Sequence, residues 1–478
     1  MRKLPFDRFK RIAGESNVLW RAEDLMLYEY DGLSTQGAPD AVIFPSSTEQ
    51  VAQIVRVAVE EGVPIIARGA GTGLSGGAVV VEGGLVLAFA RMKKIVEIDL
   101  ENQRARVQPG VVNLDLSLAV SEFGYYYAPD PSSQKACTLG GNVAENSGGP
   151  HTLAYGVTTN HVLGLEMVLP DGTVSHTGAK HWDRPGYDLT GLIVGSEGTL
   201  GIVTEITVRL SRKPEAVKTL LAIYNAIPDA TCTVAAITAR GITPAALEMM
   251  DGFTLRAVEA ATHAGYPMDS AAVLLIELEG LREAVDEETE QIEAVCLENH
   301  AREVRRARNA EDRDLLWRGR KNAFGALGRI SPSYYVQDGV IPRTRLPEMM
   351  DYIGQVEKKY ALHIGNIFHA GDGNLHPLLM YDSRDPRECE RVTKAAAEII
   401  AKCVELGGSI TGEHGVGMEK SELMPLLFSE DDIEAMKKVK SVFNPRGLFN
   451  PGKVLPTGKM CGELRVHTGT GGSPGERR

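Results

Sequence analysis

The stretch that most limits what this chain can fold into runs Arg68-Gly69-Ala70-Gly71-Thr72-Gly73-Leu74-Ser75-Gly76-Gly77. Five of the nine residues from Gly69 to Gly77 are glycine. A short apolar run, Val63 to Ala67, leads into it and reads as a buried strand. Glycine reaches positive φ without a Cβ clash and lets backbone approach a ligand closely. Successive outward N–H groups in such a loop make a concavity for anions. Arg68 adds a positive charge, and Thr72 and Ser75 add hydroxyls. The stretch therefore reads as a cradle for a cofactor pyrophosphate.

Gly71, Gly73 and Gly76 also match the G-x-G-x-x-G of a dinucleotide-binding βαβ unit. That unit requires a helix directly after the glycines. Here Ala78 to Val81 is rich in β-branched residues, Glu82-Gly83-Gly84 is a turn, and Leu85 to Phe89 is another apolar strand. Strand–loop–strand argues against a nicotinamide site and leaves a plain glycine-rich turn as the other reading.

A chain of 478 residues should hold two or three domains. Its 43% hydrophobic and 24% charged residues suit a soluble globular protein. The net charge of −12, with no basic stripe, argues against a nucleic-acid partner. No apolar run is long enough to span a membrane, and Met1 to Gly14 lacks the apolar core of a signal peptide. Cys137, Cys232, Cys296, Cys389, Cys403 and Cys461 are scattered, with no C-x-x-C pair. That fits a reducing cytoplasm and argues against an iron–sulfur cluster in this chain.

Ser46 and Glu49 make a capping box before a helix carrying Val51, Ile54, Val55, Ala58 and Val59, which Gly62 closes. Ile95–Leu100 and Arg104–Gln108 read as strands, and Asn113–Phe123 as a helix. Two further stretches are rich in small residues and amides. One runs from Pro129 through Thr138 to Gly149, the other from Gly195 to Val203. Either can lie against a flat polar ring, or be an ordinary loop. Beyond Lys213-Pro214 the texture changes to a βαβ-like series: strand Leu220–Tyr224, helix Asp229–Arg240, strand Ala272–Glu279 and helix Leu281–Asn299. It suits a ferredoxin-like cap.

His369-Ala370-Gly371-Asp372-Gly373-Asn374-Leu375-His376 lies between apolar strands Ile364–Phe368 and Leu378–Met380. Asp-Gly favours a two-residue hairpin loop, which would set His369 directly opposite His376. Facing imidazoles about 4.5–5.5 Å apart at Cβ can share a divalent metal. A third ligand can come from Glu413 or His414, which follow a short strand, Ser409–Thr411; adjacent residues in extended backbone point to opposite sides. In Leu316–Asn322 the basic residues can meet a small carboxylate, or form a charged surface helix.

The cradle, Pro129–Gly149 and Gly195–Val203 together resemble the FAD domain of the vanillyl-alcohol oxidase / p-cresol methylhydroxylase (PCMH-type) family. Nearly the whole chain is similar to the FAD-bearing subunits of bacterial glycolate oxidases and to D-lactate and D-2-hydroxyglutarate dehydrogenases. The resemblance implies an α+β fold. Residues 1–214 would form a two-part FAD-binding domain, 215–410 a ferredoxin-like antiparallel-sheet cap, 411–458 a segment returning to the flavin, and 459–478 a disordered tail. It implies cofactor contacts at Arg68, Gly69, Gly71, Thr72, Gly73, Leu74, Ser75 and Gly76. The second stretch would add Pro131, Ser132, Cys137, Thr138, Gly141, Asn142, Ala144, Asn146 and Gly148, and the third Glu197, Gly198, Ile202 and Val203. Asn450 would reach the flavin from the C-terminal return. The cradle holds no histidine for covalent attachment, so the FAD is expected to be non-covalent.

The same resemblance assigns a divalent metal (zinc, manganese or iron) to His369, His376 and Glu413, the general base to His414, and the substrate carboxylate to Arg320. The implied activity is oxidation of a small 2-hydroxy acid to the 2-oxo acid. Electrons would leave to an iron–sulfur or second flavin subunit, an electron-transfer flavoprotein, a quinone or oxygen. Two other activities stay open: a non-redox FAD synthase or lyase, and an FAD subunit active only within a larger complex. The expected location is the cytoplasm, with any membrane association made through a partner.

Overall fold

A computed structural model describes residues 4–33, 35–181 and 186–457. The first sheet sets Val18–Leu19, Ala41–Ile43, Leu85–Ala88 and Ile65–Arg68 side by side. Its last three strands are parallel and almost wholly buried, which is why they read as continuous apolar runs. Helix Thr48–Glu60 packs Val51, Ile54, Val55 and Ala58 into that core. Its cap is one residue later than the Ser46/Glu49 box. Ser47, in extended backbone, accepts from the Gln50 amide at 3.3 Å, while the Gln50 side chain reaches back to the Ser46 amide. Parallel neighbours need a crossover of a dozen or more residues, usually a helix. Between Ile65–Arg68 and Leu85–Ala88 the glycine stretch itself is the crossover, and it contains no helix.

The second sheet is antiparallel, in the order Ile95–Asp99, Arg104–Val107, Ile202–Arg209, Val162–Val168, Val174–Gly178. Strand Ile202–Arg209 alternates buried and partly exposed residues, so one face meets the core. Leu116 and Val120 of helix Asn113–Val120, and Leu139 and Val143 of helix Leu139–Glu145, fill that core.

The third sheet begins with the strands Ala216–Tyr224, Ala246–Asp251, Ala272–Gly280 and Glu303–Arg306. In space the fourth lies beside the first, then the third, then the second. That antiparallel order, with helices Ile227–Ala239 and Arg282–Glu298 in the connections, is the ferredoxin-like arrangement. Strand His363–His369 extends the sheet beyond Ala246–Asp251, and Pro377–Tyr381 follows it. The chain then returns to the first sheet. Phe449 is buried in the first core and bridges Ile65, and the Asn450 amide donates to the Ile65 carbonyl at 2.9 Å. The expected α+β organisation with its antiparallel cap is thus the one observed. The strand expected at Ser409–Thr411 is reduced to one bridge, Val340 to Ser409, because the backbone beyond it wraps a buried aspartate. The tail 459–478, with Cys461, lies outside the described residues.

Candidate active site

The hairpin carrying the two histidines has a different register from the one expected. His369 pairs with Asn374, and Ile364 with Leu379, so the loop is Ala370–Gly373 rather than Asp372-Gly373 alone. Asp372 accepts from the Asn374 amide at 3.1 Å and Gly373 sits at φ 77°, which closes a four-residue turn. His376 is therefore two residues beyond the position opposite His369. A slip of one would have sent it to the other face, whereas a slip of two keeps it on the same face. The rings meet edge to face with centroids 5.0 Å apart. On its other side His369 pairs directly with Glu248 of Ala246–Asp251. Its Nδ1 lies 2.8 Å from Glu248 Oε1.

The third wall is the loop after Thr411. It is not extended, so the argument from opposite-facing neighbours does not apply. Asp338 is fully buried and accepts from the amides of Gly412, Glu413 and His414 and from Lys420 Nζ. Burial opposes its charge, but His414, Lys420 and His376 hold its pKa well below the usual carboxylate range. Wrapping this anchor places both loop side chains on the same cluster. Glu413 Oε1 is 3.1 Å from His369 Nε2 and 3.1 Å from His376 Nε2. The His414 ring stacks on His376 with centroids 4.9 Å apart.

His369, His376 and Glu413 offer ligand atoms within 4.8 Å of one another. Each histidine has its Nδ1 next to an acceptor, Glu248 or the Gln337 carbonyl. That fixes Nδ1–H and turns both Nε2 lone pairs towards the Glu413 carboxylate. Three electron-rich atoms facing one another need a cation between them or a shared proton. With none but protons to balance it, the cluster draws charge onto His369. Burial would lower its pKa, but Glu248 and Glu413 raise it well above normal. Glu413, which burial would raise, is held well below normal by the imidazoles. The donor set fits a divalent ion. His414 differs: burial lowers its pKa to about 4, and its Nδ1 has no hydrogen-bond partner among the described residues.

One cavity of about 370 Å³ joins this cluster to the glycine cradle. Its wall includes Arg68, Gly69, Gly71, Thr72, Gly73 and Leu74; Pro131, Ser132, Cys137 and Thr138; Gly141, Asn142 and Ala144; and Glu197, Gly198 and Val203. His376, Glu413 and His414 close its far end. A Cβ on Gly73 would meet nothing within 4 Å, and Gly71 sits at φ 71°. Arg68 is buried with Nη1 unpartnered among the described residues, as suits a group awaiting an anion. These features fit an FAD laid along the cavity.

Six of the expected contacts stand behind the wall instead. Ser75 is buried against Glu145, and its carbonyl holds the amides of Met418 and Glu419. Gly76 abuts Met418, and Gly148 abuts Glu413. Asn146 ends a helix in left-handed backbone and accepts from Thr159. Ile202 belongs to the first core. Asn450 braces the wall by donating to the carbonyls of Gly77 and Glu197, at 2.9 and 2.7 Å.

Arg320 is the main departure. It is 2% exposed, donates to Glu248 at 2.8 Å through Nε and 2.6 Å through Nη2, and does not line the cavity. A buried carboxylate that already binds His369 has taken the arginine's fork. Its neighbours Lys321 and Phe324 are on the wall. Sequence reasoning missed Glu248 and Asp338, and took in Lys321 only as one of the basic residues of Leu316–Asn322. A charged residue inside the apolar run Ala246–Met250 was the one signal that could have flagged Glu248.

With this geometry in view, comparison with known proteins defines the class. Residues 39–178 match a family described as "FAD binding domain", and residues 213–454 match "FAD linked oxidases, C-terminal domain". The chain belongs to the FAD-linked oxidase family and is an FAD-linked oxidoreductase. It is 47% identical over 456 residues to the glycolate oxidase subunit GlcD of Escherichia coli (strain K12), covering 95% of this chain and 91% of that one. It is 33% identical over 461 residues to the D-lactate dehydrogenase of Anaerostipes hadrus, covering 94% and 96%. Among solved structures, p-cresol methylhydroxylase with substrate bound aligns at TM-score 0.81 and 19% identity, covering 95% and 97%. Alkyldihydroxyacetonephosphate synthase aligns at 0.72 and 18%, covering 93% and 84%. These two likenesses show the PCMH-type fold alone. Among the described residues no helix is long and apolar enough to cross a membrane.

Proposed function

We propose that this enzyme oxidises a small 2-hydroxy acid, of the glycolate or D-lactate kind, to the 2-oxo acid. The observation that carries the reading is the single cavity running from the glycine cradle to His376, Glu413 and His414. The relatives named as a glycolate oxidase subunit and a D-lactate dehydrogenase supply the substrate class. FAD, held non-covalently in a cradle without histidine, supplies the two-electron acceptor. A zinc, manganese or iron ion on His369, His376 and Glu413 would supply polarisation of the substrate hydroxyl and carboxylate.

The chain's own residues do the rest. His414, neutral at pH 7 because it is buried, takes the substrate proton. Glu248 and the Gln337 carbonyl fix the tautomers of His369 and His376. Asp338 fixes the loop that carries Glu413 and His414. Arg320 acts through Glu248 as a positioning residue. The onward acceptor is a separate component, such as an iron–sulfur or second flavin subunit, in line with relatives named as subunits. We place the enzyme in the cytoplasm, any membrane association being made through that partner.

The test is anaerobic flavin bleaching against a panel of D- and L-2-hydroxy acids. At least glycolate or D-lactate should reduce the flavin. Bleaching by no acid would overturn the reading and favour a non-redox synthase.

A further inference from the structure

We propose that Glu145, held as a neutral carboxylic acid, donates a hydrogen bond to the flavin ring and thereby raises its reduction potential. Glu145 ends helix Leu139–Glu145 and lines the cavity where the cradle meets the loop that carries Glu413 and His414. Its carboxyl fills the space that a Cβ would take at Gly77, the last cradle glycine, and at Gly415, the residue after His414. The acid therefore sits between the end of the cavity suited to a pyrophosphate and the end suited to substrate. That stretch is the one left for the redox ring, so the inference rests on FAD occupying this cavity.

A second carboxylate stands beside it. A Cβ on Gly415 would also meet Glu197 Oε1, at 2.9 Å. The two groups are furnished unequally. Glu197 accepts from the Val416 amide at 2.7 Å through Oε1 and from the Gly417 amide at 2.8 Å through Oε2. Glu145 has one hydrogen-bond partner among the described residues, the Ser75 hydroxyl at 3.4 Å. Like charges this close in an enclosed site do not both ionise, and the proton goes to the group with fewer donors. Burial, Glu197 and Asp31 accordingly push the Glu145 pKa well above the usual carboxylate range, against the Ser75 hydroxyl and Lys453. Burial lifts Glu197 only to about 7, because the two amides, Lys453 and Lys420 oppose it. Two-electron reduction makes the flavin ring electron-rich. A neutral donor beside it favours the reduced form, whereas a carboxylate anion there would oppose it.

The experiment measures the reduction potential of the bound flavin against reference dyes in the parent, Glu145→Gln and Glu145→Leu, each first checked for FAD content. Glu145→Gln, neutral and still a donor, should keep the ratio of reduced to oxidised flavin within a few-fold of the parent at a given dye potential. Glu145→Leu should lower that ratio about tenfold, the worth of one hydrogen bond, or about 30 mV for a two-electron couple. Redox difference infrared spectra of the parent at pH 7 should carry a protonated-carboxyl C=O band that Glu145→Gln removes. A raised potential in Glu145→Gln, with no such band in the parent, would show an ionised Glu145 and overturn the proposal. A parent-like potential in Glu145→Leu would overturn it too, by leaving the proton between the two carboxylates. Should Glu145→Leu bind no flavin, Glu145→Gln and the infrared band decide. Reduction is driven by dithionite and not by a hydroxy acid, so these outcomes are independent of the substrate reading.

Discussion

At the scale of single residues, the site is a contest for protons among four imidazole and carboxylate groups in one close-packed cluster. His369 and His376 turn Nε2 to the same Glu413 oxygen at 3.1 Å, while His414 is stacked aside, uncharged. We expect His369→Ala, His376→Ala and Glu413→Ala to keep FAD but lose bound metal and substrate-driven bleaching. His414→Ala should keep both FAD and metal and slow bleaching by about 10²–10⁴, the usual cost of a missing acid/base group. Metal analysis beside stopped-flow separates the cases. Full metal and parent rate in His376→Ala would make the hairpin structural, and loss of metal in His414→Ala alone would reverse the Glu413 and His414 roles. A second prediction follows from Glu248, which orients His369 through Nδ1. Glu248→Gln should weaken metal binding by about 10–100-fold, as outer-layer partners of metal-bound histidines do. Unchanged metal affinity in a competition with a chelator would refute this.

At the scale of elements, the glycine stretch does two jobs. It is the crossover between two parallel strands and the near wall of the cavity. Gly73 bears this out geometrically: a Cβ there meets nothing within 4 Å, so it points into open space. Gly73→Asp should therefore fold normally, yet place a negative charge where the pyrophosphate is proposed to lie. We expect protein with parent-like circular dichroism and little flavin. Normal FAD content would refute the cradle assignment. The hairpin shows how far pattern reading reaches at this scale. Alternation fixed the shared face of His369 and His376, but the turn that sets the register depended on Asp372 capping Asn374, a contact that an Asp-Gly pair does not announce.

At the scale of the whole molecule, a buried ionic chain joins the FAD-binding part to the cap. Asp130 and Glu277 flank His151; Arg313 and Trp317 grip Glu277; Tyr155 donates to Glu279, and Lys321 faces Asp130. Burial opposes charge on His151, but its two carboxylate neighbours raise its pKa from 6.5 to about 10. Burial likewise opposes charge on Glu277, but His151 and Arg313 lower its pKa from 4.5 to about 2. The His151 contribution is complete below pH 6.5 and fades as pH rises towards about 10. The Glu277 contribution is complete above pH 4.5 and fades as pH falls towards about 2. The junction should hold best between these limits. His151→Gln should lower the melting temperature most near pH 6 and flatten its decline between pH 7 and 10. An equal loss at every pH would show that His151 contributes packing and not charge.

The sequence by itself determined the local parts of this protein. Glycine spacing after an apolar run, unbroken apolar strands, and a histidine hairpin followed by Glu413 and His414 are properties of neighbours in the chain. They carried the α+β class and most of the cavity wall. What only the tertiary structure decided is which charges are already spent. Arg320 and Lys321 are adjacent and both basic, yet one is sealed against Glu248, 72 residues away, and the other lies on the cavity wall. Asp338 likewise becomes the anchor of the Glu413 loop through amides 74 to 76 residues further on. Ion pairs form between groups brought together by folding, and their strength depends on burial, so no window of the chain contains the information that ranks them.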